Sequence, residues 1–255
     1  MKKRALSLLM AVIMVVSLLP TAVWAAETDI SAFPEFTATS DTSTTKEFKI
    51  SSANSLAALS GAVKADNGNG TYNLKGITFH LANDIELTGT WTPISNVTYP
   101  GDAFAGTFDG NGHTISGLKT DGDGLFAAVC DATIKNLKVS GTVSGSTANV
   151  GGIVGKTQGT VTIKNCSFSG SVTSNKSSSS AGVGGIVGKV NNGTLIVENC
   201  ANHAAVTATN GCPGGIIGYA GSNKISVSNC YNDGTISGKW YPSGICASNT
   251  YTKLQ

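Results

Sequence analysis

The sequence predicts an all-β fold, a right-handed parallel β-helix with coils of about 30 residues and a short N-terminal α-helix as cap. Three observations predict it. A glycine phrase recurs: Gly151-Gly152-Ile153-Val154-Gly155, Gly184-Gly185-Ile186-Val187-Gly188 and Gly214-Gly215-Ile216-Ile217-Gly218, with degraded copies at Asp123 to Ala127 and Ser243 to Ala247. The start-to-start offsets are 28, 33, 30 and 29 residues, and a fixed period in that range marks a stack of equal units, each touching only its neighbours. Second, apolar residues alternate before a recurring Asn: Val161 and Ile163 before Asn165, Leu195 and Val197 before Asn199, Ile225 and Val227 before Asn229. Period two is the mark of a strand with one buried face. Third, the alternation restarts one residue out of phase after each Asn, as a corner between two strands requires. About three short strands per period make one coil, and five to six coils fit the chain. A leucine-rich repeat is the rival solenoid, but Leu is sparse and the half-repeats are rich in Gly, Ser and Thr.

Taken in order, residues 1–25 read as a secretory signal peptide. Lys2, Lys3 and Arg4 form a charged start, Leu6 to Leu19 an apolar middle, and Ala25 a small residue that places the cut before Ala26. That implies a secreted or cell-surface protein with no membrane-spanning segment in the mature chain. Residues 26–47 read as a Ser/Thr-rich flexible leader without period. Residues 48–123 hold the cap and first coils, and 124–255 the regular coils, in one continuous domain. Phe48-Lys49-Ile50 is a strand. Ser51 or Ser52 caps a helix to about Ala65 that carries Leu56, Leu59 and Val63 on one face. Such a helix would close the open core of the first coil. Ile77 to Leu87 alternates as a strand. Phe104 to Ile115 reads as two strands around a Gly-rich turn. Ser174 to Ser180 accounts for the long offset and reads as a loop bulging from the coil.

Composition narrows function. Of 255 residues, 32 are Gly and 13% are charged. Cleavage of the signal peptide removes three cations, Arg4 being the only Arg, and takes the formal charge from +2 to about −1. A balanced chain without Arg lacks the basic footprint of a nucleic-acid binder. The six cysteines are 130, 166, 200, 212, 230 and 246. Cys166, Cys200 and Cys230 recur at one coil position, where Leu137 stands in the preceding coil, so they read as small apolar fillers. Stacked neighbours are close enough to cross-link, and free buried thiols are the favoured reading. No cofactor is implied, and no zinc-type spacing appears.

The repeated Asn136, Asn165, Asn199 and Asn229 should stack as a ladder that passes side-chain amide hydrogen bonds between coils. Trp91, Tyr99, Trp240 and Tyr241 are candidate ligand-binding aromatics, because such rings stack on sugars. Asp84, Glu86 and Asp109 are the carboxylates a polysaccharide-cleaving enzyme could use. Asp109-Gly110-Asn111-Gly112 and Asp121-Gly122-Asp123-Gly124 fit turn chemistry better than a calcium loop. No His-Glu-x-x-His, nucleophile elbow or phosphate loop is present.

The run from Phe104 to Leu118, with Gly106 to Ile115 reading GTFDGNGHTI, resembles a segment common in bacterial parallel β-helix proteins. The Gly-Gly-Ile-Val-Gly copies resemble the GLUG-motif repeat, and Asn229-Cys230-Tyr231-Asn232-Asp233-Gly234 is similar to its usual continuation. The likeness covers roughly Phe48 to Ala247. It departs at Ala204-Ala205, where a Gly is replaced, and in the last coil, which lacks the final Gly. The resemblance implies a β-helix of a secreted or surface protein, adhesin-like or a non-catalytic part of an immunoglobulin A peptidase. It carries no shared catalytic residues. The expectation is a structural or adhesive module, not an enzyme, meeting glycan or extracellular protein. Alternatives are a lyase- or hydrolase-like β-helix enzyme or a piece of a larger surface protein.

Overall fold

In the computed structural model the described residues are 28–29, 47–64, 74–95, 103–221, 223–249 and 253–254. The expected signal peptide, most of the leader and Tyr99 lie outside them. Among the described residues, parallel strands stack as a solenoid of about six turns, with one short helix near the N-terminus. One sheet runs through Glu47–Ile50, Thr78–Leu81, Thr107–Asp109, Thr133–Lys135, Val154–Lys164, Val187–Glu198, Ile217–Gly221 and Cys246–Asn249. The second runs through Ile85–Glu86, Thr114–Thr120, Lys138–Gly145, Ser167–Gly184, Ala201–Asn202 and Tyr231–Asn232.

Register is what the core depends on. In the first sheet Phe48, Phe79, Phe108, Ile134, Ile163, Val197 and Val227 pair in one continuous file. All of them are buried. Each such side chain contributes about 1.5–3 kcal/mol once withdrawn from water. A single coil cannot realise that gain, because both flanks of its apolar row stay open. The rings of Phe48 and Phe79 stack at 5.7 Å. Beside them the helix Ala53–Lys64 packs Leu56, Leu59 and Val63 into the core. The Ser55 amide donates to Ser52 Oγ at 3.2 Å and the Ser52 amide to Ser55 Oγ at 2.9 Å, which ties off the helix start.

The glycine phrase is explained by close approach. A Cβ on Gly152 would meet the Gly185 carbonyl and the Phe168 ring, and one on Gly185 would meet the Gly215 carbonyl and Asn202. Backbone lies on backbone at this position, coil after coil.

The Asn corner has a second cause beyond its side-chain bonds. Asn136, Asn165, Asn199 and Asn229 have φ of 53°, 54°, 52° and 53°. That left-handed conformation is costly for most residues and tolerated by Asn. The side chains then link the coils. Asn165 Nδ2 donates to Asn136 Oδ1 at 2.9 Å, and Asn199 Nδ2 to Asn165 Oδ1 at 3.1 Å. Below them Asn136 Nδ2 donates to Asp109 Oδ1 at 3.0 Å. Asp109 therefore heads the ladder. It also accepts from the Asn111 amide at 2.9 Å and pairs with Lys135 Nζ at 3.1 Å.

The two strands expected around the Gly-rich turn are Thr107–Asp109 in the first sheet and Thr114–Thr120 in the second, so that turn is a solenoid corner. Three local expectations are corrected. Ile77 to Leu87 is broken by a corner, into Thr78–Leu81 and Ile85–Glu86. Residues 174–180 do not loop out. They stay within the strand Ser167–Gly184, and two register shifts absorb the extra length. Thr28–Asp29, inside the expected leader, pairs in parallel with Phe48–Lys49.

Two predictions follow from the ladder. Asn165→Gly keeps the left-handed corner and loses the amide bonds, whereas Asn165→Ala loses both. In urea denaturation both variants should be destabilised, Asn165→Ala by about 1 kcal/mol more. Burial opposes ionisation of Asp109, but the Asn111 amide, the Asn136 side chain and Lys135 outweigh it and hold the carboxyl below its ordinary 3.8. A pKa lowered by folding adds stability above the unfolded value, and that stability is lost as pH falls through the folded one. Acid unfolding monitored by circular dichroism below about pH 4 should therefore be less steep in Asp109→Asn than in the parent.

Candidate functional site

The second sheet turns alternate residues outward. Val143, Val172 and Val206 point to the core and are fully buried. Their neighbours form a file of hydroxyls, in which Ser144 pairs with Thr173, Thr173 with Thr207, and Thr207 with Ser237. Two residues earlier Thr142, Ser171 and Ala205 are in register, with Lys119 at the near end. Over this face lies a groove of about 330 Å³, lined by Asp121, Ser144, Thr173, Asn175, Thr207 and Thr209 together with Gly145, Ser146 and Ser174. Asp121 is the single charged residue among that lining. Ser/Thr hydroxyls both donate and accept, so such a surface suits a ligand that does the same.

The proposed aromatics separate into three cases. Trp91 is a correction: it is 9% exposed, and its Nε1 donates to the Leu125 carbonyl at 3.2 Å, so it serves the core of the first coils. Tyr99 is not among the described residues. Trp240 and Tyr241 are 37% and 65% exposed, with ring centroids 6.4 Å apart. The Trp240 amide reaches the Gly211 carbonyl at 3.3 Å. That sets the pair one coil beyond the strand carrying Thr207 and Thr209, near the far end of the hydroxyl face. Lys239 Nζ lies 5.2 Å from the Trp240 centroid, leaving Tyr241 the more open ring.

The three candidate carboxylates have separate partners. Asp84 is exposed and accepts from the Thr114 amide at 2.8 Å and from His113 Nδ1 at 3.2 Å. The Thr114 amide, followed by His113, holds its carboxyl below the ordinary range. Glu86 pairs in register with Ser116 on the second sheet. Asp109, on the first sheet, is held in the Asn ladder. Among the described residues no three His, Cys, Asp or Glu side chains gather as a metal site.

The cysteine column is where the repeat places it, stacked coil on coil. The Cys166 amide lies 3.4 Å from Cys200 Sγ, and the Cys200 amide 3.4 Å from Cys230 Sγ. All six cysteines are free thiols. Contact with the Cys166 thiol pushes Cys200 up to about 12, the Cys200 thiol raises Cys230, and burial pushes Cys246 up to about 12. Groups held so far from the thiolate are poor nucleophiles at neutral pH.

Sequence reasoning missed two arrangements. Asn202 and Asn232 form a second amide stack: Asn202 Nδ2 donates to Asn232 Oδ1 at 2.6 Å and to the Ala204 carbonyl at 2.9 Å. On the same corner His203 Nδ1 lies 2.9 Å from Asp233 Oδ1, and Tyr231 Oη 3.4 Å from His203 Nε2. The signal was available in the 30-residue separation of His203 and Asp233, one full coil. This exposed cluster lies outside the groove lining.

Among the described residues no helix is long and apolar enough to cross a membrane. The family model of the GLUG motif matches residues 146–173 and 209–237. Halomucin from Haloquadratum walsbyi is 39% identical over 93 residues, 34% of this chain, and the match spans 1% of that protein's length. A crystal structure from Bacteroides ovatus, assigned provisionally as an immunoglobulin A1 protease, superposes with a TM-score of 0.48 at 16% identity over 86% of each chain. That likeness is too low to transfer any function. The matched segments take in Thr173 and Ser237 of the hydroxyl file and the Asn165 and Asn229 corners, and the chain is a parallel β-helix of which two stretches match the GLUG motif.

Proposed function

We propose that this chain is a secreted or cell-surface, non-catalytic β-helix module of a bacterium, structural and adhesive, whose outer face binds glycan. The observation that carries the reading is the hydroxyl file in which Ser144, Thr173 and Thr207 line a groove with one charged side chain, and which Ser237 continues one coil beyond. The GLUG motif and the stretch shared with halomucin are consistent with a module built into extracellular proteins. A near-neutral face without Arg gives nothing to nucleic acid. A protein partner would be expected to find apolar anchors, and the groove lining supplies none. The carboxylates that a polysaccharide-cleaving enzyme would need weigh against that alternative, since Asp109 is committed to Lys135, Asn111 and Asn136.

A glycan array and a panel of host matrix proteins probed with residues 26–255 test this reading. Retention on a subset of glycans is expected. Trp240→Ala combined with Tyr241→Ala should weaken it about five- to tenfold, in line with the loss of ring stacking. Silence on every glycan and every protein would sink the adhesive role.

A further inference from the structure

Resting on that reading, we propose that the groove takes an uncharged, extended, β-linked polysaccharide chain laid along the solenoid axis, one sugar to each coil. The hydroxyls of Ser144, Thr173, Thr207 and Ser237 stand one per coil in parallel register, so they repeat every ~4.8 Å. An extended β-linked pyranose chain advances by a comparable length per sugar. Ligand and protein therefore stay in phase over several coils, which a curled α-linked chain or a peptide strand laid along the axis does not.

The groups suit the ligand. Each Ser or Thr can donate one bond and accept others, as each sugar hydroxyl can, so either partner adapts to the other. Thr173 and Thr207 are also stiff at χ1, so little side-chain freedom is lost on binding. The rigid ladder on both sides of them holds the spacing before the ligand arrives, and such preorganisation favours affinity.

Charge selects among polysaccharides. Asp121 is the one charged residue of the lining. A polyuronate or sulfated chain would place its anions beside Asp121 with no cation in the lining to receive them, and like-charge juxtaposition is penalised. Neutral hexose or N-acetylhexosamine chains meet no such barrier, and their hydroxyl or amide groups can donate to the Asp121 carboxylate. At the far end Tyr241 offers an open ring to a terminal sugar.

Calorimetric titration of residues 26–255 with cello-, chito- and β-linked mannuronate oligomers of two to six units tests the proposal. At least one neutral series should bind, with affinity rising at each added unit up to four and then levelling. β-Linked mannuronate oligomers should bind at least about tenfold more weakly, and Asp121→Asn should narrow that gap. Thr173→Val with Thr207→Val should weaken the neutral series about tenfold, with thermal melting confirming an intact fold. Affinity that is flat beyond two sugars, or that survives the double Val change yet vanishes in Trp240→Ala, would overturn axial binding while leaving glycan recognition at the aromatic end. Binding of array glycans but of none of the three series would equally overturn it. Silence on the array as well would remove both proposals.

Discussion

One constraint governs this molecule: successive coils lie in parallel register, so the side chain at each position must be compatible with the same position above and below it. A file such as Phe108, Ile134, Ile163, Val197 and Val227 is buried only because every member has a neighbour on both flanks. An out-of-register slip by one residue would turn each of these side chains to solvent and its polar neighbours to the core. The glycine phrase obeys the same rule by subtraction, since any Cβ at Gly152 or Gly185 would intrude on the next coil.

The corners convert that constraint into a polar structure. A backbone that turns through the left-handed region needs Gly or Asn. Asn adds an amide that both donates and accepts, so the four corner residues share a backbone conformation and three of them also share hydrogen bonds. The ladder must begin somewhere, and Asp109 begins it, neutralised by Lys135 from the next coil. A carboxylate that looked free for chemistry in the sequence is a structural terminus in the fold.

This explains which features were legible beforehand. Periodicity is a property of one dimension, so the fold, the Asn file and the Cys column with Leu137 could all be read from spacing. Outward-facing patterns were harder. Ser144, Thr173, Thr207 and Ser237 look like ordinary polar composition until register aligns them, and the Ser-rich insertion between Thr173 and Thr207 hid their equivalence. The first coils depart from the period, which is why Trp91 could be read as exposed when it closes the core against Leu125. His203 and Asp233 were seen singly because contact across one full coil is invisible in local sequence.

The face that the proposed function uses is thus a by-product of the same stacking that makes the core. Its hydroxyls are evenly spaced because the buried valines between them are. Nuclear magnetic resonance of the uniformly labelled chain tests that stacking most directly, through backbone contacts between coils. Cross-strand Overhauser contacts should link Ile134 to Ile163, Ile163 to Val197 and Val197 to Val227 in unbroken parallel register. Contacts displaced by one residue, or antiparallel contacts along these strands, would contradict the account from core to outer face.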